Sequence, residues 1–264
     1  MASSVDVTAL GNRSDVRTAI GVVSVCMVIL AWEIAPRIEL VPASIIPPFS
    51  QVLANMPRIL SSDSFWASVR TSSVRWSAGY GLGSCAGIAL GVAMARSALL
   101  FRLIDPFLVM LYPVPKAALV LVLVIWFGST GAPVVLVVSI TALLPVVVST
   151  FHAAQGVDHK LLWSARALGR SRIGTLLGVV LPASAAGAIS GAQIGIGISL
   201  FTLLSAELII RQDGIGAIMF SAWDNGQFTT VWSVAGIVAT TGFVLDWLFR
   251  WGVARALPWT ERLH

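Results

Sequence analysis

Residues 154–180 read AQGVDHKLLWSARALGRSRIGTLLGVV, and Leu181-Pro182 follow. Lys160, Arg166, Arg170 and Arg172 fall among Leu161, Leu162, Ala165 and Leu168, which recur at helical spacing. Gly169 then breaks the pattern. The stretch predicts a short amphipathic helix, a glycine turn and a second helix that runs on into an apolar segment. A polar-flanked helix with one apolar face must cover that face against lipid headgroups or a partner groove.

Outward from this loop the chain is apolar. Of its 264 residues 57% are hydrophobic and 11% charged, and the mean hydropathy is +0.89. Soluble domains carry about 25% charged residues, so the bilayer is the natural solvent. A spanning helix needs about 20 mainly apolar residues. Six candidates are present, at about 18–35, 77–95, 104–127, 133–153, 181–210 and 231–249. The predicted fold class is therefore an all-α integral membrane protein with six transmembrane helices, a single transmembrane domain over 1–264. The run at 18–35 follows Arg13 and Arg17 but lacks a small-residue cleavage site, so it reads as an uncleaved first helix. The third candidate is interrupted by Pro113 and Pro115, which a membrane helix tolerates where neighbours or a cavity satisfy the freed backbone. The fifth carries Gly187, Gly191 and Gly195, a spacing that brings helices close.

The pI near 10 does not indicate nucleic acid, because no basic run or aromatic–basic interleaving accompanies it. Basic residues instead sort by side. With the N-terminus inside, segments 1–17, 96–103, 154–180 and 250–264 hold eleven Lys/Arg, and the intervening outer segments hold five: Arg37, Arg58, Arg70, Arg75 and Arg211. This split places both termini in the cytoplasm. Trp32, Trp126 and Trp232 then mark the outer interface, and Trp247 and Trp251 the inner one. Outer segment 36–76 reads as a proline-punctuated turn, a short amphipathic helix and a Ser/Arg-rich lead into helix two. Outer segment 211–230, with Asp213, Gly214, Gly216, Asp224, Asn225 and Gly226, reads as an ordered loop or short re-entrant piece. Cys26 and Cys85 sit in apolar runs without metal spacing, His152, His159 and His264 complete no metal motif, and no HExxH, GxSxG or Walker A pattern occurs. No catalytic or metal-binding residues are assigned, and the chain carries no machinery of its own for ATP.

The loop resembles the inner loop of membrane permease subunits in binding-protein-dependent ABC importers, of the form EAA-x3-G-x9-I-x-LP. Here the frame is Trp163-Ser164-Ala165, three residues, Gly169, nine residues, Val179, one residue, and Leu181-Pro182. Trp163 and Ser164 stand where that pattern has Glu and Ala. The resemblance narrows to nitrate/sulfonate/taurine-type permeases through IIPPFSQVL at 45–53, Tyr112-Pro113-Val114-Pro115-Lys116-Ala117-Ala118-Leu119 with Trp126-Phe127-Gly128, Ala206-Glu207 with Gly214-Ile215-Gly216, Asp246, and Leu257-Pro258-Trp259.

The resemblance implies a type I ABC importer permease fold with a cytoplasmic coupling helix, in the bacterial inner membrane. It implies two cytoplasmic ATPase subunits that bind ATP and Mg, a second permease copy, and an external solute-binding protein that is periplasmic or lipid-anchored. It makes Trp163, Ser164, Ala165, Arg166, Leu168, Gly169, Leu181 and Pro182 the ATPase-coupling residues. Candidate pathway residues are Lys116, Gln193, Ser199, Thr202, Ser205 and Glu207. Lys116 falls mid-helix, where it would meet an anionic solute, bond carbonyls freed near Pro113, or pair with Glu207. Gln193, Ser199, Thr202 and Ser205 form a polar stripe that would line a cavity or bond between helices. Glu207 reads as a gate or a structural ion pair, and Asp105 as the N-cap of helix three. A secondary transporter or channel without an ATPase is the alternative. Such folds repeat their broken helices, and only one broken helix is visible here. The solute is not legible.

Overall fold

Glycine spacing on two long helices explains how the main body packs. The computed structural model describes residues 7–256, and every regular element among them is helical. The elements are α1 (Val7–Arg37), α2 (Phe49–Leu60), α3 (Asp63–Arg96), α4 (Ala98–Leu111), α5 (Lys116–Phe127), α6 (Gly131–Gln155), α7 (His159–Ala167), α8 (Arg172–Thr175), a π-helical turn (Leu176–Val180), α9 (Leu181–Ile210), α10 (Ile215–Asp224) and α11 (Phe228–Ala256). Leu257-Pro258-Trp259, Arg262 and His264 lie outside the described residues, as do the side chains of Arg13 and Arg17.

The chain divides into two units, residues 1–61 with 222–234 and residues 62–221 with 235–264. In the larger unit α6 lies between α3 and α9. Gly79, Gly83, Gly87 and Gly91 of α3 meet α6 at Val135, Ser139, Val146 and Val147. Gly187 and Gly191 of α9 meet its other side at Ser149 and Pro145. Two small-residue ridges thus let both neighbours approach the α6 backbone. The α9 ridge was expected from spacing. The α3 ridge has the same period of four. Val134, Val137 and Val138 of α6 pack with Val120, Leu203 and Ala206 to form the apolar centre.

In the smaller unit Trp32 packs against Phe49 and Trp232, with ring centroids 5.3 and 5.2 Å away. The turn between α1 and α2 accepts indole hydrogen bonds on Pro47 O from Trp32 (3.1 Å) and on Ile45 O from Trp232 (3.0 Å).

Among the described residues five helices are long and apolar enough to span a bilayer: Thr18–Arg37, Asp63–Arg96, Gly131–Gln155, Arg172–Ile210 and Phe228–Arg255. The expected third span, 104–127, is not one helix. It is α4 and α5, bent by 104° at Tyr112–Pro115, and makes the sixth span only if the pair is counted as one. Pro113 and Pro115 cannot donate backbone hydrogen bonds and restrict the residues before them, so the helix stops. The second helix starts at Asp63, fourteen residues before the expected 77, so Arg70 and Arg75 are helical rather than in a loop lead. Residues 215–224 are likewise a helix. Asp105 caps nothing. It lies inside α4, whose N-cap is Ser97, with Oγ accepting from Leu100 N at 3.3 Å. Asp105 instead lines a mostly apolar cavity of about 320 Å³ with Phe101, Phe151 and His152.

Candidate functional site

The basic loop folds as its sequence predicts. Asp158 N-caps α7, its Oδ1 accepting from Lys160 N at 2.8 Å. At the other end Gly169 has φ +80°. Gly169 N donates to Arg166 O at 2.9 Å and Arg170 N to Ala165 O at 3.1 Å. This paired closure needs a left-handed residue, which glycine supplies without a Cβ penalty. Ser171 then caps α8 (Gly174 N to Ser171 Oγ, 3.0 Å), and the π-helical turn passes Val179 into α9 at Leu181-Pro182. Pro182, which has no N–H to donate, follows directly on the π-helical turn, where the regular i to i−4 bonding is already interrupted.

The predicted apolar stripe divides in two. Leu162 is buried against Val92, Val157 and Val180, and Ala165 is buried too, which roots α7 on the bundle. Leu161, Trp163 and Leu168 face outward at 53%, 66% and 85% exposure, and Ile173 beyond the turn at 72%. Ser164, Arg166, Lys160, Arg170 and Arg172 are exposed around them. Arg96, at the end of α3, donates to Ala154 O at the end of α6, so a cation sits at a helix C-terminus beside the root of the loop. Of the coupling residues expected from sequence, Trp163 to Gly169 form one segment with Ala165 on its inward face, and Leu181 and Pro182 open α9.

The candidate pathway residues do not converge. Lys116 starts α5, where Nζ donates to Tyr112 O and lies 5.5 Å from the Tyr112 ring centroid. It thus bonds a carbonyl at the proline break, and Glu207 meets Arg75 rather than Lys116. Gln193 Nε2 donates to Asp246 Oδ1 (3.1 Å), and Ser199 Oγ accepts from Trp76 Nε1 (2.9 Å). Thr202 and Ser205 donate to Ile198 O and Phe201 O in their own helix. The stripe thus serves helix-to-helix and back-bonding contacts.

Glu207 is the exception. It is 1% exposed. Ser72 Oγ lies 2.8 Å from both carboxylate oxygens, Gly216 N donates to Oε2 at 3.1 Å, and Arg75 Nη1 stands 3.4 Å from Oε1. Ile215 N donates to Ser72 Oγ at 2.9 Å. Arg75 Nη2 also pairs with Asp213 Oδ1 at 2.5 Å. One carboxylate therefore ties α9 to α3 and to the start of α10. Gly214 (φ +97°) and Gly216 leave no room for a Cβ beside it. Ser72, Arg75 and Asp213 were not anticipated. A buried acid in an apolar helix needs a partner, and that signal was present. The sequence offers Lys116 as the cation, because Arg75 lies in a stretch that reads as a connection.

Among the described residues no cluster of His, Cys, Asp and Glu could hold a metal ion. The sequence profile of the family described as "Binding-protein-dependent transport system inner membrane component" matches residues 83–257. The chain is 28% identical over 249 residues to the taurine transport system permease protein of Escherichia coli (strain K12), covering 92% of this chain and 90% of that one. It is 26% identical over 239 residues to a putative aliphatic sulfonates transport permease protein of Bacillus subtilis (strain 168), covering 90% and 87%. It is 30% identical over 194 residues to the nitrate import permease protein of Leptolyngbya laminosa, covering 74% and 69%.

Proposed function

Because this chain belongs to the binding-protein-dependent transport system inner membrane components, we propose that its loop around Gly169 is the element through which cytoplasmic ATPase subunits drive it. The chain itself is a permease subunit of an ABC importer, a transport component and a multi-pass inner-membrane protein. The alternative of a secondary transporter or channel has no support in these relatives.

The exposure of Trp163 and Leu168 on a helix rooted by Leu162 and Ala165 carries the proposal. An apolar anchor held rigidly outward and ringed by Lys160, Arg166, Arg170 and Arg172 suits a groove with an apolar floor and an acidic rim. Trp163 takes the place of the glutamate in the resembling pattern, so apolar burial replaces a carboxylate contact. Two ATPase subunits dock on the loops of two permease copies and bind ATP and Mg themselves. An external binding protein delivers the solute. The charge split supports cytoplasmic termini and a cytoplasmic loop. The relatives' names refer to taurine, sulfonates and nitrate, and on that footing the solute is a small oxyanion.

The test is co-purification. Expressed with its partner ATPase and extracted in mild detergent, the subunit retains that ATPase. Deletion of 160–172, or Gly169→Pro, abolishes both retention and uptake, because proline cannot reach φ +80°. Retention and uptake surviving either change sink the coupling role.

A further inference from the structure

We propose that the Arg70–Arg75 stretch of α3 is a binding groove for small oxyanions, on the side of the subunit where solute arrives. The inference rests on the reading above for the solute class and for the orientation. An open groove of about 490 Å³ is lined by Ala67, Arg70, Thr71, Val74 and Arg75. At 3.6 residues per turn the two arginines stand about 140° apart round the helix, with Ala67, Thr71 and Val74 as the floor between them. Thr71 Oγ1 donates to Ala67 O in its own helix, so the floor supplies no donor and the arginines set the chemistry.

The two cations differ in state. Arg70 is exposed, and among the described residues it has no hydrogen bond or ion pair. Arg75 is oriented from behind by buried Glu207, with Gly131 leaving space for its guanidinium. Its Nη2 holds the carboxylate of Asp213, which is 54% exposed. That carboxylate is an oxyanion already seated on a fixed guanidinium, so it shows the chemistry that Arg75 accepts. Asp213 is the exposed half of that pair, while Arg75 is only 13% exposed, and an incoming sulfonate or nitrate displaces the Asp213 side chain from Arg75 while taking the free Arg70. Guanidinium forks suit such planar or tripodal oxygen sets better than ammonium groups do.

The experiment titrates the purified permease–ATPase complex in nanodiscs with nitrate, ethanesulfonate and taurine by calorimetry, with chloride as the control anion. Uptake into proteoliposomes, supplied with the external binding protein on the delivery side, is measured in parallel. Wild-type complex binds at least one oxyanion in preference to chloride. Arg70→Ala weakens that binding about tenfold or more, the scale of one charged hydrogen bond. Arg70→Lys restores part of it, and Asp213→Asn tightens it by removing the competitor. The opposite signs for Arg70 and Asp213 separate a site from a folding defect, and thermal stability is expected to be unchanged in both variants. No oxyanion binding by wild type, or binding indifferent to Arg70→Ala, overturns the groove. Uptake that proceeds with unchanged half-saturation in Arg70→Ala overturns it while leaving the transport reading intact. Failure of all uptake despite Arg70-dependent binding overturns the solute class and leaves the groove standing.

Discussion

Glu207 concentrates the chemistry of the larger unit in one side chain. Its carboxylate faces Ser72 Oγ, Gly216 N and Arg75 together. Removing one partner from a buried charged network costs about 3–5 kcal/mol, since the others are left unpaired. Glu207→Ala is therefore expected to lower the thermal midpoint of the detergent-solubilised subunit sharply, and Glu207→Gln less, because an amide still accepts from Gly216 N and Ser72. Equal midpoints for wild type and Glu207→Ala would refute the structural role. Lys116 gives the contrasting case, since it bonds a carbonyl that the proline break frees. The sequence marked both residues as ionisable groups in apolar runs, because such groups are costly there. It did not show which cation met Glu207. Hydropathy cannot place a partner 132 positions away (Glu207 and Arg75), and Arg75 sits in a stretch too polar to read as a span.

Helices were legible where apolar runs were continuous and illegible where packing replaced hydropathy. The expected 181–210 coincides with α9. The first fourteen residues of α3 were missed because DSFWASVRTSSVRW is polar, yet Ser72 and Phe65 are buried there. The bend after α4 was foreseen as an interruption, but its 104° angle depends on tertiary context that two prolines do not specify. The α3 glycines allow a sharp test. A Cβ on Gly83 would meet the Ser139 backbone Cα and C at 3.0 Å, whereas one on Gly81 meets nothing within 4 Å. Gly83→Ala must separate α3 from α6 and is expected to destabilise by about 1–3 kcal/mol. Gly81→Ala is expected to be neutral or stabilising by up to about 1 kcal/mol, by helix propensity alone. Chemical denaturation of both variants measures the difference, and equal effects would refute the ridge.

At the scale of the whole molecule, stability and coupling are separable, because the two faces of α7 have different partners. Leu162 is 6% exposed and packs on the bundle; Trp163 is 66% exposed and touches no core cluster. Leu162→Ala is expected to lower the subunit's own stability by about 2–3 kcal/mol, as large-to-small core changes do. Trp163→Ala leaves that stability unchanged but loses the ATPase on purification, since an interface anchor contributes only in the complex. The same side of the membrane must then hold this helix and the ATPase. In a variant with Cys26 and Cys85 replaced by serine, a cysteine at Leu168 is expected to react with an impermeant maleimide only in inside-out vesicles. A cysteine at exposed Asp224 reacts only in right-side-out vesicles. Between the two labels α8, the π-helical turn and α9 form a single continuous crossing (Arg172–Ile210). One crossing between the two labels requires opposite sides. Labelling of both from the same side would mean that this segment does not span, and the coupling loop and the solute groove could not then lie on opposite faces of the membrane.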